Sequence, residues 1–517
     1  AYSENTDKTE RHVAANDVKT EPWFEDVSDS ISIQYMHKKS SFNDFDRDLL
    51  LFDMVSAGTA HINTADIDGD GREDIFLGGN KGEAAVFYKQ IGDGQFQKVA
   101  QPDFEADKSS LDTNSAFFDA DNDGDLDLYV CSGGNEFPNS SSSLKDRLYL
   151  NDGKGGFSKS KQWLPTNRYE NTSSVAPADY DGDGDIDLFV GIRAKPFNYG
   201  EPCNGYLLQN NGNGQFTEVG EDVAPELRNL GMITDAKWFD YDQDGDQDLI
   251  LVGDWMPVTL FQNNNGKLVN KSTELGLAQT NGFWNSVEIA DVNQDGRPDI
   301  IAGNLGENTR LRASEDKPVT MYVQDFDKNG KPEHIITIYN GEQDYPLIGR
   351  SDLVEQLPYL KKKYLKYHAY KEQTVEDIFG KETIENTLKL KVFNTASSVF
   401  LNQESSFKKV DLPAEAQLSR IFGLRVEDFD RDGKLDILAG GNFYWSKPEV
   451  GINDGSRGVL LKGHGDGSFE NMSMNRSGLQ IDGEIREIKP LQVGSAELLI
   501  VSRLNDSVIV LKKNTVQ

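Results

Sequence analysis

Short apolar runs recur along the chain, and each is bounded by Asp, Asn and Gly. IFLGG at 75–79, LYVCSGG at 128–134 and LFVGI at 188–192 are typical. Runs this short, rich in aromatic and β-branched residues, predict buried strands and not helices. A second pattern pairs two such runs around an Asn/Asp/Gly turn. It reads VFYKQIGDGQFQKV at 86–99, RLYLNDGKGGFSKS at 147–160, YLLQNNGNGQFTEV at 206–219 and VLLKGHGDGSFENM at 459–472. Each is a hairpin. Two strands, a polar loop and a hairpin make a four-stranded unit that repeats along the chain.

The polar loop between the first two strands carries the chemistry. It reads Asp-x-Asp-x-Asp-Gly-x-x-Asp and occurs in seven copies, starting at 66, 119, 179, 240, 291, 325 and 428. Ca²⁺ takes about six to eight hard oxygen ligands. Carboxylates at loop positions 1, 3 and 5 converge if the loop winds tightly, and the Gly at position 6 permits that turn. Position 7 offers a carbonyl and position 9 closes the site. The first copy therefore supplies Asp66, Asp68, Asp70, the Arg72 carbonyl and Asp74. The next three supply Asp119, Asp121, Asp123, Asp125 and Asp127; Asp179, Asp181, Asp183, Asp185 and Asp187; and Asp240, Asp242, Asp244, Asp246 and Asp248. The last three supply Asp291, Asn293, Asp295, Arg297 and Asp299; Asp325, Asp327, Asn329, Lys331 and Glu333; and Asp428, Asp430, Asp432, Lys434 and Asp436. Asn293 and Asn329 weaken two of these copies. An EF-hand starts alike, but it closes with Glu at position 12 between helices. Here strands flank the loop. Up to seven Ca²⁺ are expected.

Four-stranded units repeated about an axis predict an all-β fold, a β-propeller of seven or eight blades. The loops at 291 and 325 are only 34 residues apart, so one blade is thin or one loop lies within another blade. The C-terminal runs EIKPLQV, ELLIVSR and SVIVLKK supply three strands. WFEDVS at 23–28 is expected to complete that last blade, making 22–517 a single propeller. Residues 1–21 are polar and aperiodic and are expected to form a flexible tether. A lipidated residue ahead of Ala1 would make this tether the spacer of a lipoprotein. Residues 341–396 break the rhythm and predict a small helical insertion, with Thr374 and Asp377 as a capping box and Gly380 at a helix end. Its lysines at 361, 362, 363, 366 and 371 form the strongly basic stretch of an acidic chain.

That acidity matters: 53 Lys and Arg against 86 Asp and Glu give a net charge of −33. Such a chain repels nucleic acid and anionic lipid. No run of about 18 apolar residues is present to span a membrane.

The loops at the other end of the strands differ in kind. They carry Phe137, Arg193, Phe197, Tyr199, Trp255, Phe443, Tyr444 and Trp445, a set suited to sugar stacking or a protein interface if exposed, or to wedging between blades if not. The same end is expected to bring Cys131 and Cys203 onto adjacent blades, where a disulfide and two isolated thiols are both open readings.

The loop motifs resemble FG-GAP/VCBS repeats, the calcium-binding propeller repeats also found in integrin α-chains. GLRVEDFDRDGKLDILAGGN at 423–442 carries the pattern most fully. The nearest resemblance is to bacterial secreted proteins of the ASPIC/UnbV-associated type. It implies an extracytoplasmic, cell-surface or lipoprotein location, often beside outer-membrane transport complexes, with a protein or glycan partner. The membrane would be met only through an N-terminal lipid anchor. The sequence carries no GxSxG, HExxH or P-loop motif. The expectation is a binding or scaffold protein with no catalytic residue. The enzymatic alternative is a calcium-dependent polysaccharide lyase.

Overall fold

The computed structural model describes residues 21–166 and 169–514. The tether expected over 1–21 lies outside them, but for Glu21.

The chain folds into antiparallel sheets of four strands. Sheet I holds Ile62–Ala65, Asp74–Leu77, Val86–Gly92 and Gln95–Val99. Sheet II holds Asp112–Phe118, Asp127–Ser132, Arg147–Leu150 and Ser158–Lys159. Sheet III holds Asn171–Ala178, Asp187–Ala194, Gly205–Asn210 and Phe216–Glu218. Sheet IV holds Met232–Phe239, Asp248–Met256, Thr259–Asn263 and Leu268–Asn270, with Gly282–Phe283 pairing onto its second strand. Sheet V holds Ser286–Ala290, Asp299–Gly303, Ser398–Asn402 and Phe407–Asp411. Sheet VI holds Gly423–Glu427, Asp436–Gly440, Val459–Gly463 and Phe469–Asn471. Sheet VII holds Glu484–Val493, Ala496–Leu504 and Ile509–Lys513. Its fourth strand is Phe24–Asp26, in register with Leu511–Lys513, so both ends of the described chain share one sheet.

No sheet closes on itself. The sheets instead meet through their first strands, I against II and so on to VII, and VII against I. Apolar side chains fill each junction. Phe76, Phe87, Leu128 and Tyr149 lie between sheets I and II, and Leu77, Val86, Leu498 and Ile500 between VII and I. The second strands are buried throughout, as DIFL, DLYVCS and DILAG show. This explains why they are continuous apolar runs and not alternating ones. The arrangement is propeller-like.

An eighth sheet stands apart from these contacts. It is built from Val319–Gln324, Glu333–Asn340, Gln343–Pro346 and Leu388–Val392, all between the second and third strands of sheet V. The expected insertion at 341–396 covers its helices and two later strands. Two strands come earlier and bring the 325 loop with them. The short spacing from 291 to 325 arises because the second loop belongs to this inserted sheet. Helices Arg350–Gln356, Val375–Phe379 and Lys381–Glu385 pack on it through Leu353, Leu357, Val375, Ile378 and Ile384. Thr374 and Asp377 form the reciprocal capping box, and Gly380 takes φ 89°.

Candidate metal centres

Seven loops fold alike because the same backbone conformation recurs at the same loop positions. Position 4 is left-handed in every copy (Gly69, Asn122, Gly182, Gln243, Gln294, Lys328, Arg431), with φ from 59° to 75°. Position 6 is also left-handed and always Gly, the residue that takes this conformation without strain. The position 1 carboxylate accepts the position 6 N–H, as in Gly71 to Asp66 at 2.9 Å and Gly433 to Asp428 at 2.9 Å. The position 5 side chain accepts the position 7 N–H, as in Asp185 to Asp183 at 2.9 Å. These bonds hold the acids facing inward.

Position 9 opens the second strand and is buried in every copy, from Asp74 to Asp436. Its carboxylate ties the loop to the third strand. Asp248 accepts Tyr241 N–H at 2.9 Å and Asn263 N–H at 2.7 Å, and Asp127 accepts Ala120 N–H at 2.9 Å and Asn151 N–H at 2.8 Å. Burial pushes these acids up, Asp74, Asp299 and Asp436 to about 6 and Asp127, Asp187, Asp248 and Glu333 to about 7. Neighbouring loop carboxylates add to the upward pressure and backbone N–H donors offset part of it.

Carboxylate oxygens of Asp66, Asp68 and Asp70 lie within 4.8 Å of one another. The same holds for Asp119, Asp121 and Asp127; Asp179, Asp181 and Asp187; Asp240, Asp242 and Asp248; and Asp325, Asp327 and Glu333. Several of these oxygens are buried without a hydrogen-bond partner: Oδ1 of Asp68, Asp119, Asp121 and Asp125, and Oδ2 of Asp187. A buried, unpartnered carboxylate oxygen is costly unless a cation meets it. An all-oxygen donor set of this kind suits a hard cation. These clusters can hold metal ions.

Two recurring features escaped the sequence reading. At the end of the third strand an amide bridges neighbouring sheets. Asn210 Nδ2 donates to Ile186 O of its own loop at 3.1 Å and to Ala120 O of the preceding sheet's loop at 2.8 Å. Asn151, Asn263 and Asn402 do the same toward Ile67, Tyr180 and Tyr241, and Gln90 joins Glu73 O to Gln492 O. The signal is in the sequence, as Asn in LYLN, LLQN, LFQN and VFLN, but only the packed sheets show what it holds. The residue just before this amide reaches into the loop. Gln209 and Gln262 donate to Asp181 and Asp242 at 2.6 Å, while Lys89 and Lys462 pair with Asp68 and Asp430.

The opposite end of the sheets departs from expectation. Phe137, Trp255 and Phe443 do not reach solvent: they are 4%, 3% and 3% exposed. Arg193, Phe197, Tyr199 and Trp445 are partly buried, and Tyr444 is exposed. Phe137 packs with Leu111 and Leu144, and residues 39–60 run across this end and cover others of the set. Arg47 stacks on Phe197 at 4.1 Å and donates to Asn135 O at 2.6 Å. Lys39 sits over Trp445 at 4.9 Å, Asp53 pairs with Arg420 and Ser446, and Leu50 and Phe52 pack with Trp255. Trp255 itself takes φ 61° and donates to Tyr199 Oη at 3.2 Å. Cys131 and Cys203 share one core between sheets II and III as buried thiols, without an S–S bond. Burial pushes both thiols up, Cys203 to about 12.

Between the first strands lies a cavity of about 730 Å³. His61 spans three sheets at its wall, bonding Glu487 at 2.8 Å and Ser115 at 2.7 Å, while Glu487 also accepts Ile62 N–H at 3.0 Å.

The sequence matches the FG-GAP-like repeat family over residues 66–130, 137–190 and 240–302, stretches that include the first five loops. The chain carries FG-GAP-like repeats. No curated protein matches it. Similar solved structures include the V. cholerae biofilm matrix protein Bap1, at 12% identity over 93% of this chain and 91% of that one, with TM-score 0.40. Another is an Agrocybe aegerita lectin that recognises non-reducing terminal N-acetylglucosamine, at 16% identity over 81% and 79%, with TM-score 0.39. No described helix is long and apolar enough to cross a membrane.

Proposed function

We propose that the protein is a calcium-stabilised, extracytoplasmic binding or scaffold protein, a seven-bladed propeller carrying the eighth sheet as an insertion. The observation that carries this is the set of buried, unpartnered carboxylate oxygens in identically wound loops. Asp, Asn and Glu at positions 1, 3, 5 and 9 would hold each ion with the position 7 carbonyl. The ion would supply charge neutralisation and rigidity, not chemistry. Loops of this weight suit the millimolar calcium found outside cells.

The partner is a protein or glycan, met away from the buried aromatics. Besides Tyr444, the inserted unit is open, where Tyr359, Leu365 and Tyr367 are 51%, 73% and 59% exposed among the lysines at 361, 362 and 366. Exposed apolar groups grouped in this way mark an interaction surface.

Chelation tests the central claim. EDTA should lower the melting temperature by well over about 10 °C, and added Ca²⁺ should restore it. A melt that ignores both would falsify the calcium reading. Substituting Leu365 and Tyr367 by Ser should abolish partner capture without moving that melt.

A further inference from the structure

The residue before the bridging amide, or before Gly463 in sheet VI, occupies one place in six sheets, because the next residue's N–H always meets the position 9 carboxylate. It is Lys89, Leu150, Gln209, Gln262, Leu401 and Lys462 in sheets I to VI. Only sheets I and VI place a cation there. The Lys89 ammonium pairs with Asp68 and lies 3.6 Å from Asp70. The Lys462 ammonium pairs with Asp430 and lies 3.0 Å from Asp432. In sheet II the equivalent residue is Leu150, and three acids, Asp119, Asp121 and Asp125, each keep a buried oxygen without a partner, against the one oxygen of Asp68 in sheet I. Sheets VI and I are not random members of the set: they flank sheet VII, which has no acidic loop and joins the two ends of the chain.

We infer that Lys89 and Lys462 are tethered cations that substitute for a divalent ion. They make the loops of sheets I and VI weaker sites than those of sheets II to IV, whose carboxylates at positions 1, 3, 5 and 9 are all present and carry no ion pair to Lys or Arg, whereas the sheet V loop has Asn293 and an Arg297–Asp295 pair at 2.6 Å. This inference rests on the calcium reading above. The reason is electrostatic. An ammonium held against the position 3 carboxylate neutralises that charge and repels an incoming Ca²⁺ at short range in a partly buried site. Gln209 and Gln262 satisfy the same carboxylate without a charge, and Leu150 leaves it free. The arc VI–VII–I, where the chain closes, therefore holds together without metal. The arc from II to IV depends on it.

The test is a calorimetric Ca²⁺ titration of the full chain after chelation, with direct metal analysis. In the wild type the loops of sheets I and VI should bind at least about tenfold more weakly than those of sheets II to IV. Lys89→Gln with Lys462→Gln should move those two toward the stronger sites. Gln209→Lys with Gln262→Lys should move two sites the other way, which keeps the inference testable if the first pair does not fold. Hydrogen exchange in EDTA should leave sheets VI, VII and I protected while II to IV open. If the wild type binds no Ca²⁺, the calcium reading itself fails. If it binds Ca²⁺ and neither pair of substitutions changes the titration, the tethered-cation inference is overturned and the calcium reading stands.

Discussion

The two ends of the sheets are built on different principles. At the loop end every copy uses the same Gly turn, inward acids and buried position 9 acid, which in sheets I to VI is tied to the third strand. At the opposite end each junction is made once. Arg47 on Phe197, Asp53 on Arg420 and Trp255 against Phe283 have no counterpart in the other sheets. A repeated solution tolerates the loss of one copy, because its neighbours still hold. A contact made once carries its full energy at a single residue.

Substitutions should expose that difference, and the largest effect is expected at the single-copy end. Trp255→Ala removes a buried ring that packs on Phe283, Leu50 and Phe52, so it should cost about 3–5 kcal/mol in urea unfolding. A loss below about 1 kcal/mol would show that this end is not a packed interior.

Acid should also act at this end, through His37. It is buried against Gly78 O and Tyr35, and burial lowers its pKa to about 4. Gly78 O favours the charged form, as does Asp112, while Arg486 and His61 oppose it. Between about pH 6.5 and 4 the unfolded chain binds a proton that the folded chain refuses, so stability falls as pH falls, by up to about 3 kcal/mol. In saturating Ca²⁺, His37→Gln should flatten that part of the curve relative to wild type. Parallel curves would remove His37 from the account.

The repeated end should respond more gently. Asn210→Leu leaves the Ala120 and Ile186 carbonyls without their shared donor, and a loss of about 2 kcal/mol is expected. Its extent should match that of Asn263→Leu, since the two amides do the same work one sheet apart. Unequal losses would break the equivalence of the copies. The smallest effect belongs to Tyr444→Ala, exposed at 39%, which should stay within about 0.5 kcal/mol.

The loops were legible because their information is local. Nine consecutive residues fix the turn, the direction of the acids and the closing carboxylate, and repetition separates the pattern from chance. The hairpins were legible for the same reason. The bridging Asn residues were visible as letters but not as a function. Their acceptors, such as Ala120 O for Asn210, sit some 90 positions away in the chain.

Sequence by itself determined the strands, the wound acidic loops and the capped helix at Thr374, since each depends on neighbours within a turn or two. Only tertiary structure decided that the 325 loop belongs to an inserted sheet, that residues 39–60 cover the aromatics, and that Lys89 and Lys462 face acidic loops. Composition marks Trp255 and Phe443 as surface-loop aromatics, but exposure is set by what packs against them. That partner is a segment whose own sequence, irregular apart from the short apolar run 49–52, carries no period to announce where it lies.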